Sequence, residues 1–373
     1  MALCVCMVGT MAACSSSSGE SSSGESAQVS SGNTATRTVT DNGGNEVTVP
    51  SEINRIAIIS TMPLASVYCM VGGDASKIVG LTPSSQNAAV TSLLNRVAPE
   101  LADVSTAFAQ GDTPNVEEIV GLNPDVVFYN LSAAEDVAAV EQLQKMGIPC
   151  VGFSTGISST IDTISKWAEL LGDVLGKETQ ADDIVAYGRE VETMVKERVA
   201  SVPESERKSA LILTNYTESA IVAAGNTFGQ YWLHTIGAKD VADEIDQAVS
   251  PVNLEQIYEW DPDVIFLNSF SAFTADQIIN STAVAGQDWS GLTAVKNKEV
   301  YKFPLGMYYW FPPCSDSPLA LEWLAKNLYP DLFEDIDMEQ EIKDYYSKFY
   351  GITLTDEDID TIYNPPASSA MVY

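Results

Sequence analysis

The sequence predicts an α/β protein built from two lobes of similar design, and three observations carry this prediction. Two segments that begin at Pro114 and Val252 share eight of seventeen residues, although they lie 138 positions apart. Each predicts a helix opened by an asparagine, a Pro-Asp turn and an apolar run of strand length. Strand and helix patterns alternate elsewhere, which is typical of a largely parallel sheet covered on both faces. A length of 373 residues is enough for two domains with separate cores.

The first half of the chain predicts a hairpin and four strands. Residues 37–50 alternate between polar and apolar side chains around an Asn-Gly pair, which is typical of a β-hairpin. Residues 55–60 form an apolar run that predicts a buried strand, and a helical pattern then continues to about Val71. Further strands are predicted at 78–81, within the first repeat and at 145–153.

A helical pattern from 161 to 207 predicts a stiff connection between the lobes. Charged residues occupy one face, and the other carries an apolar stripe formed by Ile184, Val191, Met194, Val195 and Val199. We expect a single long helix here, which acts as a spine and permits only small closure of the lobes. The second half then predicts strands at 209–214, in the second repeat and at 299–303, and helices at 317–328 and 339–350.

The composition excludes several functional classes. Nineteen basic and 51 acidic residues give a formal net charge of −32, which repels nucleic acid and anionic lipid. Apolar residues make up 45% of the chain and charged residues 19%, as is typical of a globular protein. Beyond residue 14 the sequence contains no run of 18 apolar residues, so its body predicts no spanning helix.

The first 36 residues differ from the rest in composition and are kept out of the fold prediction. Met11-Ala-Ala-Cys14 follows a small, apolar stretch and resembles the lipobox of a bacterial lipoprotein, in which a diacylglycerol is attached to the cysteine. We therefore expect a signal and lipobox segment at 1–14, lipidation of Cys14, and a Ser-rich flexible tether at 15–36. No lysine or arginine precedes the apolar stretch, which leaves the completeness of the signal and the true start codon open.

The sequence offers little from which to build a catalytic site. It contains one histidine and neither a nucleophile-elbow motif nor a Gly-rich phosphate loop. Cys69, Cys150 and Cys314 are widely spaced among apolar neighbours, which predicts packed thiols rather than a disulfide or a zinc site. We therefore expect a protein that is not an enzyme and that carries no cofactor and no metal of its own.

Several of these features together resemble a known family. Residues 40–50, Arg55-Ile56, the two repeated units and Gly147-Ile-Pro149 are similar to segments of the substrate-binding proteins of ABC importers for iron-siderophore, haem and vitamin B12. The resemblance covers residues 37 to 350 and implies two Rossmann-like lobes joined by one long helix. The expected divisions are an N-terminal lobe at 37–160, a helical spine at 161–207 and a C-terminal lobe at 208–373.

Two glutamates of the repeated units are candidates for permease docking. Asn115 and Asn253 are placed to cap the two helices in capping-box patterns, and Glu117 and Glu255 fall in the first turns. From the sequence alone, each carboxylate stabilises its helix dipole by ~0.3–1 kcal/mol. The family resemblance implies a second role, in which one surface glutamate of each lobe contacts basic residues of a permease subunit.

The resemblance also implies where the protein works and with what. The expected partners are a metal-chelate small molecule, the ABC permease and ATPase subunits and, through the lipid anchor, the membrane. The protein is expected to be a monomer on the extracytoplasmic face of the cell membrane, in a host with either one membrane or two.

Candidate ligand contacts follow from the rule that open α/β sheets bind at the carboxyl ends of their strands. This rule selects Thr61, Met62, Tyr129, Asn130, Phe153, Ser154, Tyr216 and Asn268. An aromatic run at 307–311 follows a predicted strand and adds Tyr308, Tyr309 and Trp310, whose faces suit planar or macrocyclic ligands. Core packing is the alternative role for these rings, and turn or capping roles are the alternative for the polar residues.

The sequence leaves the identity of the ligand open. Anionic ferric chelates usually need an arginine cluster, and few of the six arginines fall near predicted strand ends. Haem would need an axial ligand, and His234 is interpreted as a packed helical residue, which leaves Tyr308, Tyr309 or Met62. We expect an iron-siderophore, haem or a corrinoid. The alternatives are a small oxyanion such as molybdate, or a sensor or adhesion lipoprotein of the same fold.

Overall fold

Two largely parallel sheets, one from each half of the chain, form the framework of the protein. The computed structural model describes residues 35–60, 63–156 and 159–370. Its strands are β1 (Thr36–Thr40), β2 (Glu46–Pro50), β3 (Ile56–Ile58), β4 (Ile78–Leu81), β5 (Ala109–Gln110), β6 (Thr113–Pro114), β7 (Val126–Asn130), β8 (Cys150–Phe153), β9 (Ser209–Tyr216), β10 (Ile221–Ala224), β11 (Lys239–Asp240), β12 (Val249–Val252), β13 (Val264–Leu267) and β14 (Val300–Lys302). Its helices are α1 (Leu64–Met70), α2 (Pro83–Thr91), α3 (Leu94–Val97), α4 (Val116–Gly121), α5 (Ala134–Lys145), α6 (Thr160–Leu175), α7 (Glu178–Val199), α8 (Phe228–Thr235), α9 (Leu254–Trp260), α10 (Ala275–Ile279), α11 (Thr293–Lys296), α12 (Ser317–Leu328), α13 (Met338–Tyr350) and α14 (Asp356–Tyr363). The α/β fold class is confirmed.

The first sheet contains four parallel strands in the order β4-β3-β7-β8. All three residues of β3 are inaccessible to solvent, and so are Val126, Val127 and Phe128 of the neighbouring β7. Such continuously apolar strands are expected where both faces of a parallel sheet are covered. Because all four strands run in the same direction, their carboxyl ends meet at one edge.

The predicted hairpin is confirmed and lies next to this sheet. β1 and β2 pair antiparallel with Thr40 opposite Glu46, so the turn spans residues 41–45 rather than Asn-Gly alone. The Asp41 carboxylate shapes this turn because its Oδ1 accepts hydrogen bonds from the amides of Gly43 and Asn45, each at 2.9 Å. Its Oδ2 accepts from the amide of Gly152 at 3.3 Å. One carboxylate therefore connects the hairpin to β8.

The second sheet has the order β12-β10-β9-β13-β14, and β11 pairs with β9. β9, β13 and β14 are parallel, whereas β10 and β12 are antiparallel additions at one side. The two repeated units occupy equivalent places, because α4 leads into β7 beside β3, and α9 leads into β13 beside β9. The helix, turn and strand predicted for each repeat are confirmed.

The predicted spine consists of two helices. α6 ends at Gly176, which adopts a left-handed conformation (φ 66°, ψ 45°) and donates its amide to the carbonyl of Gly172. A left-handed glycine is a common helix terminator because it has no Cβ to clash. The 22-residue α7 then packs closely against α6. Its predicted apolar stripe is largely buried: Ile184, Val191, Val195 and Val199 are at most 5% exposed.

The last helices connect both halves of the chain. α12 packs on α6 and α7, and α13 contacts α1. The Tyr350 hydroxyl donates to the carbonyl of Ser66 at 3.1 Å, and Arg96 pairs with Asp358 at 2.6 Å. One apolar cluster continues through both halves, so the two sheets are anchored on shared helices. Within the described ranges, no helix is both long and apolar enough to span a bilayer.

Candidate functional site

A cavity of about 350 Å³ opens where strands of both sheets end. Its wall is formed by Ser60, Pro63, Thr82, Asp112, Asn130, Thr155, Gly156, Trp167, Phe228, Phe270, Tyr308, Pro312 and Pro313. Each strand of the first sheet contributes residues at or just after its carboxyl end. In the second sheet, Phe270 closely follows β13, whereas Tyr308, Pro312 and Pro313 belong to the longer loop after β14. This is the place at which open α/β sheets bind ligands.

The polar part of the wall comes from the first sheet. Asp136 on α5 lies behind it with only 3% exposure. Its Oδ2 accepts a hydrogen bond from the amide of Asn130 at 3.1 Å, and the Ser60 side chain hydrogen-bonds the same carboxylate. Burial raises the pKa of Asp136. Thr82 caps α2 by accepting from the Ser85 amide at 3.3 Å, so its hydroxyl is also held in place.

The rest of the wall is mainly aromatic. The rings are those of Trp167, Phe228, Phe270 and Tyr308. The Trp167 Nε1–H donates to the carbonyl of Ser154 at 2.8 Å, which fixes the plane of the indole. Phe270 packs edge-on against Tyr309 with 4.8 Å between ring centroids. Faces and edges of rings arranged in this way suit an apolar or planar ligand.

A buried carboxylate organises the loop that carries Tyr308. Asp316 is completely buried, and its Oδ2 accepts hydrogen bonds from the amides of Met307 at 2.7 Å and Tyr308 at 3.3 Å and from the Trp310 Nε1–H at 3.1 Å. The Ser315 hydroxyl lies 3.2 Å from its Oδ1. Burial raises the pKa of Asp316 to about 6, although these hydrogen bonds act in the opposite direction.

Asp112 is the only charged side chain among the described residues of the wall. It is exposed on the β5-β6 turn and accepts from the Ser84 hydroxyl at 2.6 Å. No lysine or arginine contributes to this part of the wall. The cavity is therefore weakly acidic at its rim and mostly apolar inside.

The structure brings two of the predicted contacts, Asn130 and Tyr308, to the cavity. Ser154 supports the wall through its carbonyl. Thr61 and Met62 lie outside the described residues, between the wall residues Ser60 and Pro63 in the sequence. The remaining predicted contacts are buried in the cores of the two halves, namely Tyr129, Phe153, Tyr216, Asn268, Tyr309 and Trp310.

Two of these buried residues show why the strand-end rule selects more residues than line the cavity. The Tyr216 hydroxyl donates to Gln287 at 2.6 Å, and its ring packs on Trp289 with centroids 5.3 Å apart. The Asn268 side chain donates to the carbonyl of Thr214 at 3.1 Å and so joins β13 to β9. Alternate residues at a strand end point to opposite faces of the sheet, and these side chains serve the fold.

Sequence reasoning missed most of the wall. The missed residues are Ser60, Pro63, Thr82, Asp112, Thr155, Gly156, Trp167, Phe228, Phe270, Pro312 and Pro313. Several of them lie only one to three positions from residues that the strand-end rule selected, so extending the rule into the following loop would have found them. Trp167 and Phe228 belong to helices, and no strand-end signal marks them.

The two candidate docking glutamates are both exposed in the first turns of their helices. Asn115 caps α4 by accepting from the Glu118 amide at 3.2 Å, and Asn253 caps α9 by accepting from the Gln256 amide at 2.8 Å. The Gln256 side chain donates to Glu259 instead of returning to its own cap. Each cap is therefore present, but neither predicted capping box is closed, and the Asn115 amide donates to the carbonyl of Phe108 instead. Neither Glu117 nor Glu255 belongs to the cavity wall.

The histidine and cysteine predictions have different outcomes. His234 does lie on a helix, but the packed role was wrong, because its side chain is 53% exposed and its Nε2 lies 2.9 Å from Asp243 Oδ1. Together with Asp240, these residues form the one group of possible metal ligands in the described ranges, with ligand atoms within 4.8 Å of one another. Cys69, Cys150 and Cys314 are free thiols, and burial raises the pKa of each. Cys14 lies outside the described residues.

Comparison with known families identifies the class of protein. The family model described as "Periplasmic binding protein" matches residues 56–305, a range that begins with β3 and includes most of the cavity wall. The chain belongs to the periplasmic binding protein family. The resemblance inferred from the repeated units and the hairpin is thereby confirmed, and members of this family are solute-binding proteins.

Several relatives of this family cover most of the chain. The molybdate-binding protein MolA of Haemophilus influenzae is 28% identical over 337 residues, which is 85% of this chain and 91% of that protein. An uncharacterised ABC transporter substrate-binding lipoprotein of Bacillus subtilis, YvrC, is 25% identical over 300 residues, or 80% of this chain and 87% of that protein.

Solved structures agree with this assignment. A periplasmic solute-binding protein from Veillonella parvula is 34% identical, with a TM-score of 0.80 over 88% of this chain and 97% of that chain. Molybdate-bound MolA has a TM-score of 0.70 and 25% identity over 86% of this chain and 99% of that chain. The two-lobe α/β architecture is thus shared with known binding proteins.

Proposed function

We propose that this protein captures a metal chelate of low net charge between its two lobes and delivers it to an ABC importer. The observation that carries this proposal is the aromatic cavity at the strand ends, whose described wall contains no cationic side chain. An iron-siderophore of low charge, haem or a corrinoid offers the apolar surface that such a wall can cover.

The charge of the site argues against strongly anionic chelates. Binding a polyanion in a largely dehydrated cavity needs cationic or multiple hydrogen-bonding partners, because desolvation of the charge is costly. Here the charged wall residue is Asp112, and the whole chain carries a formal charge of −32. Both features disfavour a ligand with several negative charges.

If the ligand is haem, the geometry favours one axial ligand over another. The Tyr309 hydroxyl donates to the carbonyl of Ser369 at 2.5 Å within the core, whereas Tyr308 lies on the cavity wall. Tyr308 is therefore the better candidate for an axial phenolate.

A small oxyanion is the second candidate, and the similarity to MolA is the observation that favours it. The hydroxyls of Ser60 and Thr82 already donate to Asp136 and to the Ser85 hydroxyl, which leaves the side chains of Asn130 and Thr155 to donate hydrogen bonds into the cavity. A tetrahedral oxyanion would use these donors and leave most of the aromatic surface uncovered.

Delivery requires partners outside this chain. We propose that Cys14 carries a lipid anchor, that residues 15–36 act as a tether on the extracytoplasmic face, and that the protein docks as a monomer. Glu117 and Glu255 would meet basic residues of the two permease subunits. ATP would be hydrolysed by the partner ATPase, so we propose no catalytic role for this chain.

The docking proposal is tested by reversing both charges. The double variant Glu117→Arg/Glu255→Arg should retain ligand normally, because neither residue lies on the cavity wall, but cellular uptake of radiolabelled ligand should fall by about tenfold or more. Glu118→Arg/Glu259→Arg is the matched control, since both are exposed glutamates on the same helices.

The outcomes separate the alternatives. Uptake lost in the first double variant and kept in the control supports docking. Normal uptake in both double variants contradicts docking and favours a sensor or adhesion role, and an equal loss in both points to a general effect of charge.

A further inference from the structure

We propose that α2 is a strut between the two walls of the cavity, and that Ser92 and Ala88 are positioning residues that hold the aromatic wall at a fixed distance from the polar wall. The helix belongs to the first half of the chain, whereas the Tyr308 loop (residues 303–316) belongs to the second half. Neither Ser92 nor Ala88 lines the cavity. This inference rests on the proposed function, since it gives the strut a role in ligand binding.

The first turn of α2 is bonded to the polar part of the wall. Thr82 is both the N-cap of the helix and a wall residue. The Ser84 hydroxyl donates to Asp112 Oδ2 at 2.6 Å, and the Ser85 hydroxyl donates to the carbonyl of Ser60 at 3.4 Å. Because Asp112 and Ser60 are also wall residues, this end of the helix is tied to the polar wall.

The residues that follow the last turn of α2 are bonded to the Tyr308 loop. The amide of Leu93 donates to the carbonyl of Gly306 at 2.9 Å. The Ser92 hydroxyl lies 3.1 Å from the carbonyl of Met307 and 3.3 Å from a carbonyl of α2, so its proton is shared between the loop and the helix. The two acceptors in the loop directly precede Tyr308, so these bonds fix its backbone from the other half of the chain.

Side-chain packing supports the same end of the strut. Ala88 is 1% exposed. Its cluster of buried apolar residues otherwise consists of members of the Tyr308 loop, namely Leu305, Tyr308, Tyr309 and Cys314. A larger side chain at position 88 would have to displace either the loop or the helix, because packed interiors contain few voids.

The helix is also fixed to the first half of the chain at a point outside the cavity wall. The Gln86 side chain donates to the carbonyls of Leu101 and Val104, at 3.0 Å and 2.7 Å. α2 therefore follows a movement of the Tyr308 loop only if these bonds break. The two walls are consequently held at one spacing before ligand arrives, which favours ligands that fit the preformed cavity.

Hydrogen exchange detected by NMR tests the strut without ligand. In the wild-type protein the Leu93 amide should exchange at least about tenfold more slowly than an unbonded amide, because its acceptor is Gly306. Ser92→Ala should accelerate the exchange of Leu93 and Tyr308 about tenfold, and Ser92→Thr, which keeps the hydroxyl, should leave the wild-type rates. Ser201→Ala is the control, because the Ser201 hydroxyl also bonds a carbonyl three residues back, just after a helix outside the cavity wall.

Binding is then measured with cyanocobalamin, haem and sodium molybdate as separate probes. For a retained chelate, the Kd should rise about tenfold in Ser92→Ala and in Ala88→Leu, because both changes displace the aromatic wall. The Kd should stay within about twofold in Ala181→Leu, which overpacks an alanine of α7 that is also 1% exposed but lies outside the cluster of Ala88. A loss of affinity in all three variants would reflect general destabilisation and would contradict the positioning role.

The exchange and binding results separate the strut from the proposed function. A Leu93 amide that exchanges freely in the wild-type protein, or rates that Ser92→Ala leaves unaltered, overturns the strut, and the wild-type result decides even if a variant fails to fold. Altered exchange with an unchanged Kd for a retained chelate overturns the role of the strut in binding. Retention of no probe, with altered exchange, counts against the proposed function while supporting the strut.

Discussion

At the scale of single residues, Asp112 distinguishes the two ligand classes. Replacement by asparagine removes the one charged group of the described wall and keeps an acceptor for the Ser84 hydroxyl. A chelate of low charge should bind with a Kd within about twofold of the wild-type value. An oxyanion should bind about three- to fivefold tighter at low salt, because a repulsion of roughly 1 kcal/mol at about 4 Å is lost.

The measurement is a calorimetric titration of each variant with the retained probe. Asp103→Asn is the control, since Asp103 is an exposed acid of the same lobe that does not line the cavity. The account predicts a change within about twofold for Asp112→Asn. Tighter binding that is specific to this variant would favour the oxyanion.

The residue scale is also where sequence reasoning was weakest. Asn130 and Tyr308 could be selected because a strand end and an aromatic run are visible in the sequence. Trp167 and Phe228 could not, because their approach to the cavity depends on how α6 and α8 are packed. The exposure of His234 was missed for the same reason, since its apolar helix turns this one residue outward.

At the scale of elements, the break between α6 and α7 predicts that replacing its glycine by alanine destabilises the protein, whereas the same replacement inside another helix does not. Gly176 has a φ of 66°, which costs an L-residue roughly 1–2 kcal/mol. Gly176→Ala should therefore lower the free energy of unfolding by about that amount in a urea titration. Gly121→Ala is the matched control because it lies in α4 with nothing within 4 Å of a Cβ, and it should be neutral or stabilise by up to ~1 kcal/mol.

Equal losses of stability in the two variants would contradict the structural role of the break between α6 and α7.

The boundaries of other elements were well predicted where the sequence pattern within the element itself defines them. The apolar pattern predicted β4 and α12 with the same first and last residues as in the structure. The repeat predicted the pairs α4-β7 and α9-β13. β10 and β12 were missed because β10 pairs antiparallel with β9, and β12 with β10, and this pairing depends on tertiary context rather than on a distinctive pattern.

At the scale of the whole molecule, the raised pKa values of several buried carboxyl groups predict that the fold is more stable at mildly acidic pH. Burial raises the pKa of Asp240 and Asp316 to about 6 and that of Glu322 to about 8. Between these values and the unfolded values near 4, the folded state binds more protons, so the free energy of unfolding rises as the pH falls from about 8 to about 5. Reduced repulsion within a chain of net charge −32 acts in the same direction.

Calorimetric scans across this range should show a rising Tm, followed by a fall below about pH 4. The fall comes from carboxylates such as Asp335 and Asp356, whose partners Arg198 and Lys343 lower their pKa. In Glu322→Gln the rise between about pH 8 and about pH 6 should be smaller. A Tm that decreases from pH 8 to pH 5 would contradict this account.

The central claim is that the cavity between the two sheets holds a metal chelate of low charge. It is tested most directly by a native mass spectrum of the purified protein after exposure to equal amounts of haem, cyanocobalamin, several ferric siderophores and molybdate. The account predicts one retained mass, that of a low-charge chelate, which is weakened by Phe270→Ala. Retention of molybdate alone, or of none of these compounds by protein shown to be folded, would contradict it.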